Sequence, residues 1–454
     1  MIEESQHLTN LVLKSISVSG FRGANRNIDF DLSRDANFLI GRNGTGKTTL
    51  INIISDCLMC RYQSLMNAPF DSATITFRNA DKRHKPSLFV GKEYDSDGDV
   101  AAIVYSFTDY KTKGPSFSYS IKSRMHRRND DFAGSTSQRR ILEEFSKRFR
   151  LTWLALNRSS GISKPAGEST NDMDTRLEHS LQRLGTFFTR LDSRFAEELQ
   201  KFQQEWFMSL LVSSKRETVL HAAQSLDVEE ENRQIRDMLL GIGIKPTNFS
   251  AKVDKHVQAI ERHSVSDNRE SLRQDPIKYI TESYDILKLH VLVDQWAELQ
   301  KTKEEIYRTK EKFISIANGM LYKKMLSVDA GNRILVKKSD AKPMDKMLPS
   351  DIRQYRRDLI SGRIAQPGEI RCSDLSSGEK QLLIFLAETA LRSESPYIFI
   401  ADEPELSLHI EWQEKLVPII LDLSPQAQVF FATHSPDIVS KYQKNVFSME
   451  GFTD

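Results

Sequence analysis

A short glycine-rich stretch near the N-terminus has the residues and the spacing of a loop that binds phosphate groups. Gly41, Gly46, Lys47 and Thr48 fill the pattern G-x-x-x-x-G-K-[ST], directly after the apolar run 38–40. Glycines let successive backbone N–H groups face a phosphate, and the N-terminus of a following helix adds partial positive charge. The spacing therefore predicts a strand–loop–helix unit in which Lys47 reaches the β- and γ-phosphates and the Thr48 hydroxyl holds Mg²⁺.

Two adjacent acids, Asp402 and Glu403, follow the apolar segment 397–401. Its β-branched and aromatic residues are typical of a buried strand in a parallel sheet, and ligands bind at the carboxyl ends of such strands. Because neighbouring side chains on a strand point to opposite sides, the two acids can have different tasks. We expect Asp402 to hold Mg²⁺ through water and Glu403 to polarise the water that attacks the γ-phosphate.

A serine and a glycine, Ser376 and Gly378, stand at the predicted start of the apolar helix 382–391. A capped helix N-terminus attracts anions, although an ordinary capped helix would show the same residues. The position of this pair shortly before Asp402 favours a role in the same site. A later strand ends in His434, so the order along the chain is loop lysine, capped helix, paired acids and histidine.

This order of motifs resembles the ABC-type ATPases, specifically the soluble SMC/RecF/OLD-like branch rather than the transporters. An N-terminal turn is also similar to the Phe-Arg-Gly turn of SMC and RecF proteins. The segments that carry the resemblance are the Walker A loop (41–48), the signature motif (375–379), the Walker B strand (397–403), the D-loop (405–409), the switch histidine (His434) and Gly20-Phe-Arg-Gly23, just before the first strand pair. The resemblance implies an α/β fold: an ABC-type P-loop ATPase head, with a mixed sheet and an antiparallel β subdomain, and an inserted helical coiled-coil arm.

In this family the signature serine of one protomer caps the γ-phosphate held by the other, so sites are completed only in a head-to-tail dimer or a higher homo-oligomer. Carried over to this chain, Ser376 and Gly378 act in trans. Glu403, His434 and Ser376 are then catalytic, and Arg22 contacts phosphate. The remaining ATP-binding residues are Gly41, Asn43, Gly44, Thr45, Gly46, Lys47, Thr48 and Thr49. The implied activity is Mg²⁺-dependent hydrolysis of ATP to ADP and phosphate.

Two positions depart from the family pattern. His409 in the D-loop stands where transporter-type members carry an acid, which leaves the contact across the dimer open at that point. A Q-loop glutamine is also not evident. Two candidates stay open for this motif. Gln138 lies in a basic, polar stretch, whereas the segment 152–158 is typical of a strand that ends in polar residues.

Length and composition agree with a large soluble protein. The chain has 454 residues and a net charge of +2, so overall charge gives no argument for nucleic-acid binding. No apolar run approaches the roughly 18 residues of a membrane span. Residues 1–7 do not form a signal peptide, so we expect a cytoplasmic protein with no membrane partner. Cys57 and Cys60 form C-x-x-C in the predicted helix after the phosphate loop, where packing is favoured over zinc or redox chemistry.

Between the motifs, four alternating segments predict an antiparallel sheet attached to the head: 73–78, 87–92, 101–107 and 116–121. Turn residues such as those at 95–99 separate these segments. The locally basic loop 122–128 that follows is either a nucleic-acid contact or a solvated loop, and the second is favoured.

From residue 171 onward the hydrophobic period becomes helical. Residues Leu177 to Phe195 form a heptad seam with steps of four and three, and 199–210 extends it with a stutter. A less regular returning seam is predicted through Ile280, Tyr284, Leu287, Val291, Leu292, Trp296, Leu299, Ile306 and Phe313.

The simplest organisation has three parts. Residues 1–170 form the N-terminal lobe of the head, and 171–325 form an antiparallel helical arm with a polar tip near 215–275. Residues 326–454 form the C-terminal lobe. A compact helical subdomain packed on the head is the alternative to an arm.

Two functions stay open. The run 402–413, together with 432–436, resembles OLD-like defence ATPases, most of all the ATPase subunits of PARIS systems and second those of Septu systems. This resemblance implies an ATPase subunit of an anti-phage complex, which senses infection and holds or releases a partner nuclease. The alternative is a RecF/SMC-like ATPase of DNA repair or chromosome maintenance that acts as a clamp on DNA.

The nuclease is expected on a separate chain, of the Toprim or HNH type. Only the stretch 435–454 follows His434, which is too short for a Toprim fold. The acidic run 229–231 in the arm is interpreted as a solvated helix face rather than a metal site. A phage protein as the trigger and DNA as a further ligand stay open.

Overall fold

The computed structural model describes residues 11–23, 26–78, 85–109, 115–123, 131–155, 172–211, 227–265, 275–339, 353, 357 and 368–452. The described strands are β1 (Val12–Ser19), β2 (Asn27–Asp31), β3 (Ala36–Ile40), β4 (Ser72–Arg78), β5 (Ser87–Tyr94), β6 (Val100–Thr108), β7 (Phe117–Lys122), β8 (Leu151–Ala155), β9 (Lys324–Val328), β10 (Ile334–Lys338), β11 (Glu369–Ile370), β12 (Tyr397–Asp402), β13 (Ala427–Ala432) and β14 (Val446–Ser448). The described α-helices are α1 (Lys47–Leu58), α2 (Tyr62–Asn67), α3 (Asp131–Ser146), α4 (Asp172–Leu211), α5 (Val228–Gly241), α6 (Pro246–Val265), α7 (Pro276–Met320), α8 (Ser377–Ala390), α9 (Ile410–Leu423) and α10 (Pro436–Val439). None of these helices is long and apolar enough to cross a membrane. The chain divides into two compact units, one of Met1–Thr186 with Thr309–Asp454 and the other of Phe187–Arg308.

A five-stranded parallel sheet, in the order β14-β3-β13-β12-β8, lies in the first unit. Every residue of β13 is buried, and β12 is buried up to Ala401. Such uninterrupted apolar strands fit a sheet that is covered on both faces. Leu39 and Asp402 both pair in register with Ala432. The segments that follow β3, β13 and β12 therefore leave the sheet side by side.

The predicted antiparallel sheet is confirmed. The four alternating segments correspond to β4, β5, β6 and β7, which join β1 and β2 in the order β2-β1-β4-β5-β6-β7. The Phe-Arg-Gly turn lies between β1 and β2, and not before the first strand pair as expected. The reason is that Val12–Ser19 is already a strand, and it pairs with both β2 and β4.

A third sheet, β11-β10-β9, follows the helical insertion. The expected α/β fold class is thus confirmed, because the chain combines a parallel and an antiparallel sheet with inserted long helices. The proposed division at 170 and 325 stays a prediction. The basic loop falls mostly on 124–128, outside the described residues.

Two long helices, α4 and α7, supply antiparallel segments to the second unit. The ring centroids of Phe195 and Tyr307 lie 5.8 Å apart, and those of Phe202 and Trp296 lie 5.9 Å apart. Residue numbers therefore rise along one helix as they fall along the other. The antiparallel direction agrees with the one predicted for the two seams, although Tyr307 lies outside the predicted returning seam.

The seam predicted on α4 is buried at Leu177, Leu181, Leu184, Phe188 and Leu191. The returning seam on α7 is wrong at Val291, whereas the other residues of its first half are half-buried. Val291 is 38% exposed, whereas Tyr279, Ile286 and Val293 are buried. The buried face is shifted because α5 and α6 also pack against this part of the helix.

The polar tip expected near 215–275 contains a hydrophobic core in its described residues. Helices α5, α6 and α7 share a cluster formed by Ile235, Met238, Phe249, Val253 and Val293. The acidic run 229–231 is only in part a solvated face, because Glu231 is 4% exposed. Its Oε2 lies 2.9 Å from Nδ1 of His290, and this hydrogen bond raises the pKa of His290. Glu231 is therefore buried because its hydrogen-bond partner, His290, lies on α7.

Cys57 and Cys60 are both buried within the main hydrophobic core. Burial raises the pKa of the Cys60 thiol to about 12, which keeps it protonated and unreactive at neutral pH. The packing role that was favoured for this pair agrees with their position.

Candidate functional site

The motif residues of the first unit converge at the carboxyl edge of the parallel sheet. β3 leads into the phosphate loop at Gly41, β12 ends at Asp402, and β13 ends just before the loop that contains His434. Ligands of open α/β sheets bind at this edge. The structure thus brings together a glycine loop, paired acids and a histidine that are far apart in the sequence.

Three glycines shape the phosphate loop with backbone angles that favour glycine: Gly41 (φ 152°), Gly44 (φ 85°) and Gly46 (φ 103°). Gly46 is the left-handed N-cap of α1, so the loop curls over the start of the helix. Asn43 is exposed at the bend, and Thr45 Oγ1 donates to the carbonyl of Arg42 at 2.9 Å. The free N–H groups of the first helical turn, with the helix dipole, make this loop a site for anions.

Lys47 is the buried cation of the site, with 5% of its surface exposed. Its Nζ donates to the carbonyl oxygens of Gly41 at 2.7 Å and Arg42 at 3.1 Å. Burial lowers the pKa of Lys47, and nearby carboxylates oppose that shift. These carboxylates belong to Glu403, Asp402 and Glu405. The ammonium group therefore lies where phosphate loop and acids meet.

The Phe-Arg-Gly turn packs on the phosphate loop. Arg22 Nη1 donates to the carbonyl of Gly44 at 2.7 Å, and Nη2 donates to Oγ1 of Thr49 at 3.3 Å. A Cβ atom at Gly46 would lie 2.9 Å from the ring of Phe21, so this contact depends on glycine. The guanidinium group is held beside the loop, where a phosphate contact is predicted for it.

Thr48 and Asp402 meet across the site. Thr48 Oγ1 donates to Oδ1 of Asp402 at 3.3 Å, and both side chains are partly buried. A hydroxyl and a carboxylate are the hard oxygen ligands that Mg²⁺ prefers, with phosphates and water filling its other positions. The residues present therefore fit the predicted metal.

Glu403 leaves β12 in a left-handed conformation, with φ at 51°. This conformation is costly for a residue other than glycine and is concentrated at functional sites. Its N–H donates to the carbonyl of Ala432 at 2.8 Å, which fixes the backbone. Its Oε1 lies 4.0 Å from Nε2 of His434. Asp402 contacts Thr48 instead, so the two acids do face different groups.

Ser376 caps α8 through a capping box. Its hydroxyl accepts a hydrogen bond from the N–H of Glu379 at 3.3 Å, and the Glu379 carboxylate accepts one from the N–H of Ser376 at 2.9 Å. Burial alone would raise the pKa of Glu379, but hydrogen bonds from Lys324 and Ser376 outweigh it and lower that pKa. Ser376 itself is exposed. The structure therefore presents an exposed serine at the start of α8, held by hydrogen bonds within its own helix.

His409 is the N-cap of α9. Its Nδ1 accepts from the N–H of Glu411 at 3.4 Å. The position at which this chain departs from transporter-type members thus has a local structural role.

The two Q-loop alternatives differ in their placement. Gln138 on α3 donates to the carbonyl of Cys60 at 3.0 Å, and Cys60 follows the end of α1 that is opposite to Lys47. β8 pairs with β12 so that Ala155 is opposite Asp402, at the correct edge of the sheet. The residues after Ala155 lie outside the described ranges, and no Q-loop is assigned.

No site role was predicted for three residues near the acids, although each lies in a segment that carries the family resemblance. Glu405, Gln413 and Ser435 form hydrogen bonds that join the segment after β12 to the segment after β13. The third acid in the run Asp-Glu-Pro-Glu was a usable signal for Glu405. No local pattern indicates the contacts of Gln413 and Ser435.

Comparison with known families gives one match that spans most of the chain. The model of a family described as "AAA ATPase domain" matches residues 12–439. No curated protein matches the sequence.

Similar solved structures are head domains of Smc proteins. One is the Smc head domain with an extended coiled coil from Pyrococcus furiosus, bound to the C-terminal domain of ScpA, with 13% identity, 96% of this chain and 93% of that chain covered, and a TM-score of 0.43. Another, from Pyrococcus yayanosii, has 13% identity, covers 96% and 95%, and has a TM-score of 0.39. The SMC head domain from Thermotoga maritima has 10% identity, covers 94% and 91%, and has a TM-score of 0.36. Similarity at this level does not identify a function.

The close approach of Gly378 to the segment after β12 gives a stability prediction. A Cβ atom at Gly378 would clash with the carbonyl oxygen of Ser407, which is part of the backbone and cannot turn away. Gly378→Ala should therefore lower the free energy of unfolding by about 1–3 kcal/mol, as overpacked sites do. Urea unfolding followed by circular dichroism measures this loss.

The matched control is Gly319→Ala. Gly319 is also helical and lies in the same unit, but a Cβ atom there would meet nothing within 4 Å. This control should gain roughly 0.5–1 kcal/mol, because alanine favours helices. Equal stability of the two variants would contradict the tight contact.

Proposed function

Because this chain belongs to the AAA ATPase domain family, we propose that it is a cytoplasmic, Mg²⁺-dependent ATPase subunit of an anti-phage complex that acts through a separate nuclease. One observation carries the ATPase part. Lys47, the Thr48–Asp402 pair and the strained Glu403 lie together at the carboxyl edge of one parallel sheet. That arrangement can bind a nucleoside triphosphate and activate a water molecule beside it.

The proposed reaction is hydrolysis of ATP to ADP and phosphate. The phosphate loop and Lys47 bind the β- and γ-phosphates, and Arg22 adds charge beside the loop. Mg²⁺ held by Thr48 and Asp402 would neutralise phosphate charge when bound. Glu403 accepts a proton from the attacking water, and His434, 4.0 Å from that carboxylate, supports the developing charge.

The signature residues complete the site from a second copy of the chain. Support comes from the exposed position of Ser376, whose hydroxyl is held in place by the capping box. A helix N-terminus fixed in this way can face the γ-phosphate bound by a partner, since it offers the N–H groups of its first turn. The Ser376 hydroxyl, which donates to Oε2 of Glu379 at 3.0 Å, would turn to the phosphate on assembly. The proposed assembly is a head-to-tail dimer or a higher homo-oligomer.

The anti-phage part rests on the run 402–413 with 432–436, which resembles OLD-like defence ATPases. The helical unit is the proposed surface for the nuclease, of the Toprim or HNH type. Its support is a set of large apolar side chains that the described residues of this unit expose: Phe207, Met208, Leu240, Ile242 and Ile277. A phage protein is the proposed trigger.

The first functional prediction separates binding from chemistry. Lys47→Ala should abolish ATP binding, because the phosphate loop loses its cation. Glu403→Gln should keep ATP binding but lower the hydrolysis rate by roughly 100- to 10,000-fold, the usual contribution of a general base. Equilibrium binding of a fluorescent ATP analogue and phosphate release measure the two effects.

Glu143→Gln is the matched control for this test. Glu143 is an exposed acid on α3 that pairs only with Arg139 at 3.2 Å among its described contacts. It should leave both binding and turnover unchanged. Hydrolysis by Glu403→Gln at the wild-type rate would remove Glu403 from the catalytic role.

A second prediction tests the defence role in cells. A host that carries this chain with its native neighbouring genes should resist at least one phage in a diverse panel. Resistance should be lost with Lys47→Ala and kept with Glu143→Gln. The measurement is the efficiency of plaque formation.

Absence of phage resistance would favour the alternative function, a clamp on DNA. If no phage is restricted, and the purified chain stays on circular DNA at high salt only with ATP, the DNA clamp is the better account. Cutting of DNA by the purified chain alone, with Mg²⁺ or Mn²⁺, would contradict a separate nuclease.

A further inference from the structure

Two side chains attach the switch loop (433–435) to the acidic turn (403–409). The switch loop follows β13 and contains His434, and the acidic turn follows β12 and begins at Glu403. Both segments leave adjacent strands, since Asp402 pairs with Ala432. Their relative position beyond the sheet is therefore set by contacts between the segments themselves.

Glu405 makes the first attachment. Its Oε1 accepts a hydrogen bond of 2.6 Å from the backbone N–H of His434. The turn therefore holds the histidine through its main chain, which leaves the imidazole ring free to face Glu403. A charged acceptor makes this a strong hydrogen bond.

Gln413, on α9, makes the second attachment. Its Nε2 donates to the carbonyl oxygens of Leu408 at 2.9 Å and Glu405 at 3.4 Å, and its Oε1 accepts from the hydroxyl of Ser435 at 2.7 Å. One amide thus binds the end of the acidic turn on one side and the switch loop on the other. Ser435 is 7% exposed, so its hydroxyl has little water with which to replace this bond.

The acidic turn needs such support because its backbone is strained. Glu403 and Ser407 have φ angles of 51° and 68°, in the left-handed region that only glycine enters without cost. Strained conformations persist when the surrounding structure over-determines them. Gln381 adds a buried hydrogen bond of 2.8 Å to the carbonyl of Pro404.

We infer that Gln413 is a positioning residue for ATP hydrolysis, which sets the distance between Glu403 and His434 by binding the acidic turn and Ser435 at once. This inference rests on the proposed ATPase function and deepens it. Gln413 touches neither reacting group, so its effect should appear in turnover and not in nucleotide binding. An error of about 1 Å in such a geometry can cost up to roughly 100-fold in rate.

The test measures kcat, KM and the Kd for ATP in three variants. Gln413→Met and Ser435→Ala should each lower kcat by about tenfold, a loss that fits a displacement below 1 Å. The Kd for ATP should stay within about twofold. The double variant should lose the same tenfold rather than about a hundredfold, because the two residues are the ends of one hydrogen bond and their effects are not additive.

Two further variants separate positioning from general damage. Ser435→Thr keeps a hydroxyl and should keep most of the wild-type kcat. Lys415→Met changes an exposed residue of the same helix and should not alter kcat. If Gln413→Met does not fold, the isosteric Gln413→Glu serves instead, since it loses the donations to Leu408 and Glu405 and should show the same fall in kcat.

The outcomes are distinct. An active wild type with an unchanged kcat in the folded Gln413 variant overturns this inference alone. Losses of kcat that multiply in the double variant also overturn it. So does a rise in the Kd for ATP that is as large as the fall in kcat. A wild-type chain that does not hydrolyse ATP overturns the proposed function and this inference with it.

Discussion

The parallel register of β3, β13 and β12 is the constraint on which the site depends. Leu39 and Asp402 both pair with Ala432, so three segments leave the sheet within two strand spacings, about 10 Å. The apolar sequences of β12 and β13 place these strands in the middle of the sheet, where both faces are covered.

Beyond the ends of the strands, hydrogen bonds made by side chains hold the loops in position. Arg22 ties the Phe-Arg-Gly turn to the phosphate loop, and Gln413 ties the acidic turn to the switch loop. These bonds hold backbone conformations that are unfavourable in isolation, such as the left-handed Glu403. The hydrogen bonds around the acids thus stabilise the strained backbone from which their side chains project.

The sequence predicted what depends on local pattern. The glycine spacing identified the phosphate loop, and alternation identified the strands of the antiparallel sheet. Predictions of burial from the sequence were wrong where a second helix packs against the segment. Val291 fits a heptad seam, but α5 and α6 set which face of α7 is buried. Glu231 fits a solvated run, but His290 lies opposite. The role of Gln413 depends on the carbonyl directions of a strained turn, which no residue pattern specifies.

In the proposed dimer each ATPase site is built from two copies of this chain, and mixing of inactive subunits tests this arrangement. A Ser376→Arg chain keeps an intact phosphate loop but has a defective signature motif, and a Lys47→Ala chain has the opposite defect. Each variant is therefore inactive alone. In an equal mixture, half of the dimers are mixed and each has one complete site, which predicts about one quarter of the wild-type ATPase rate. A mixture that stays as inactive as its parents, although subunit exchange is demonstrated with labelled chains, would contradict the account.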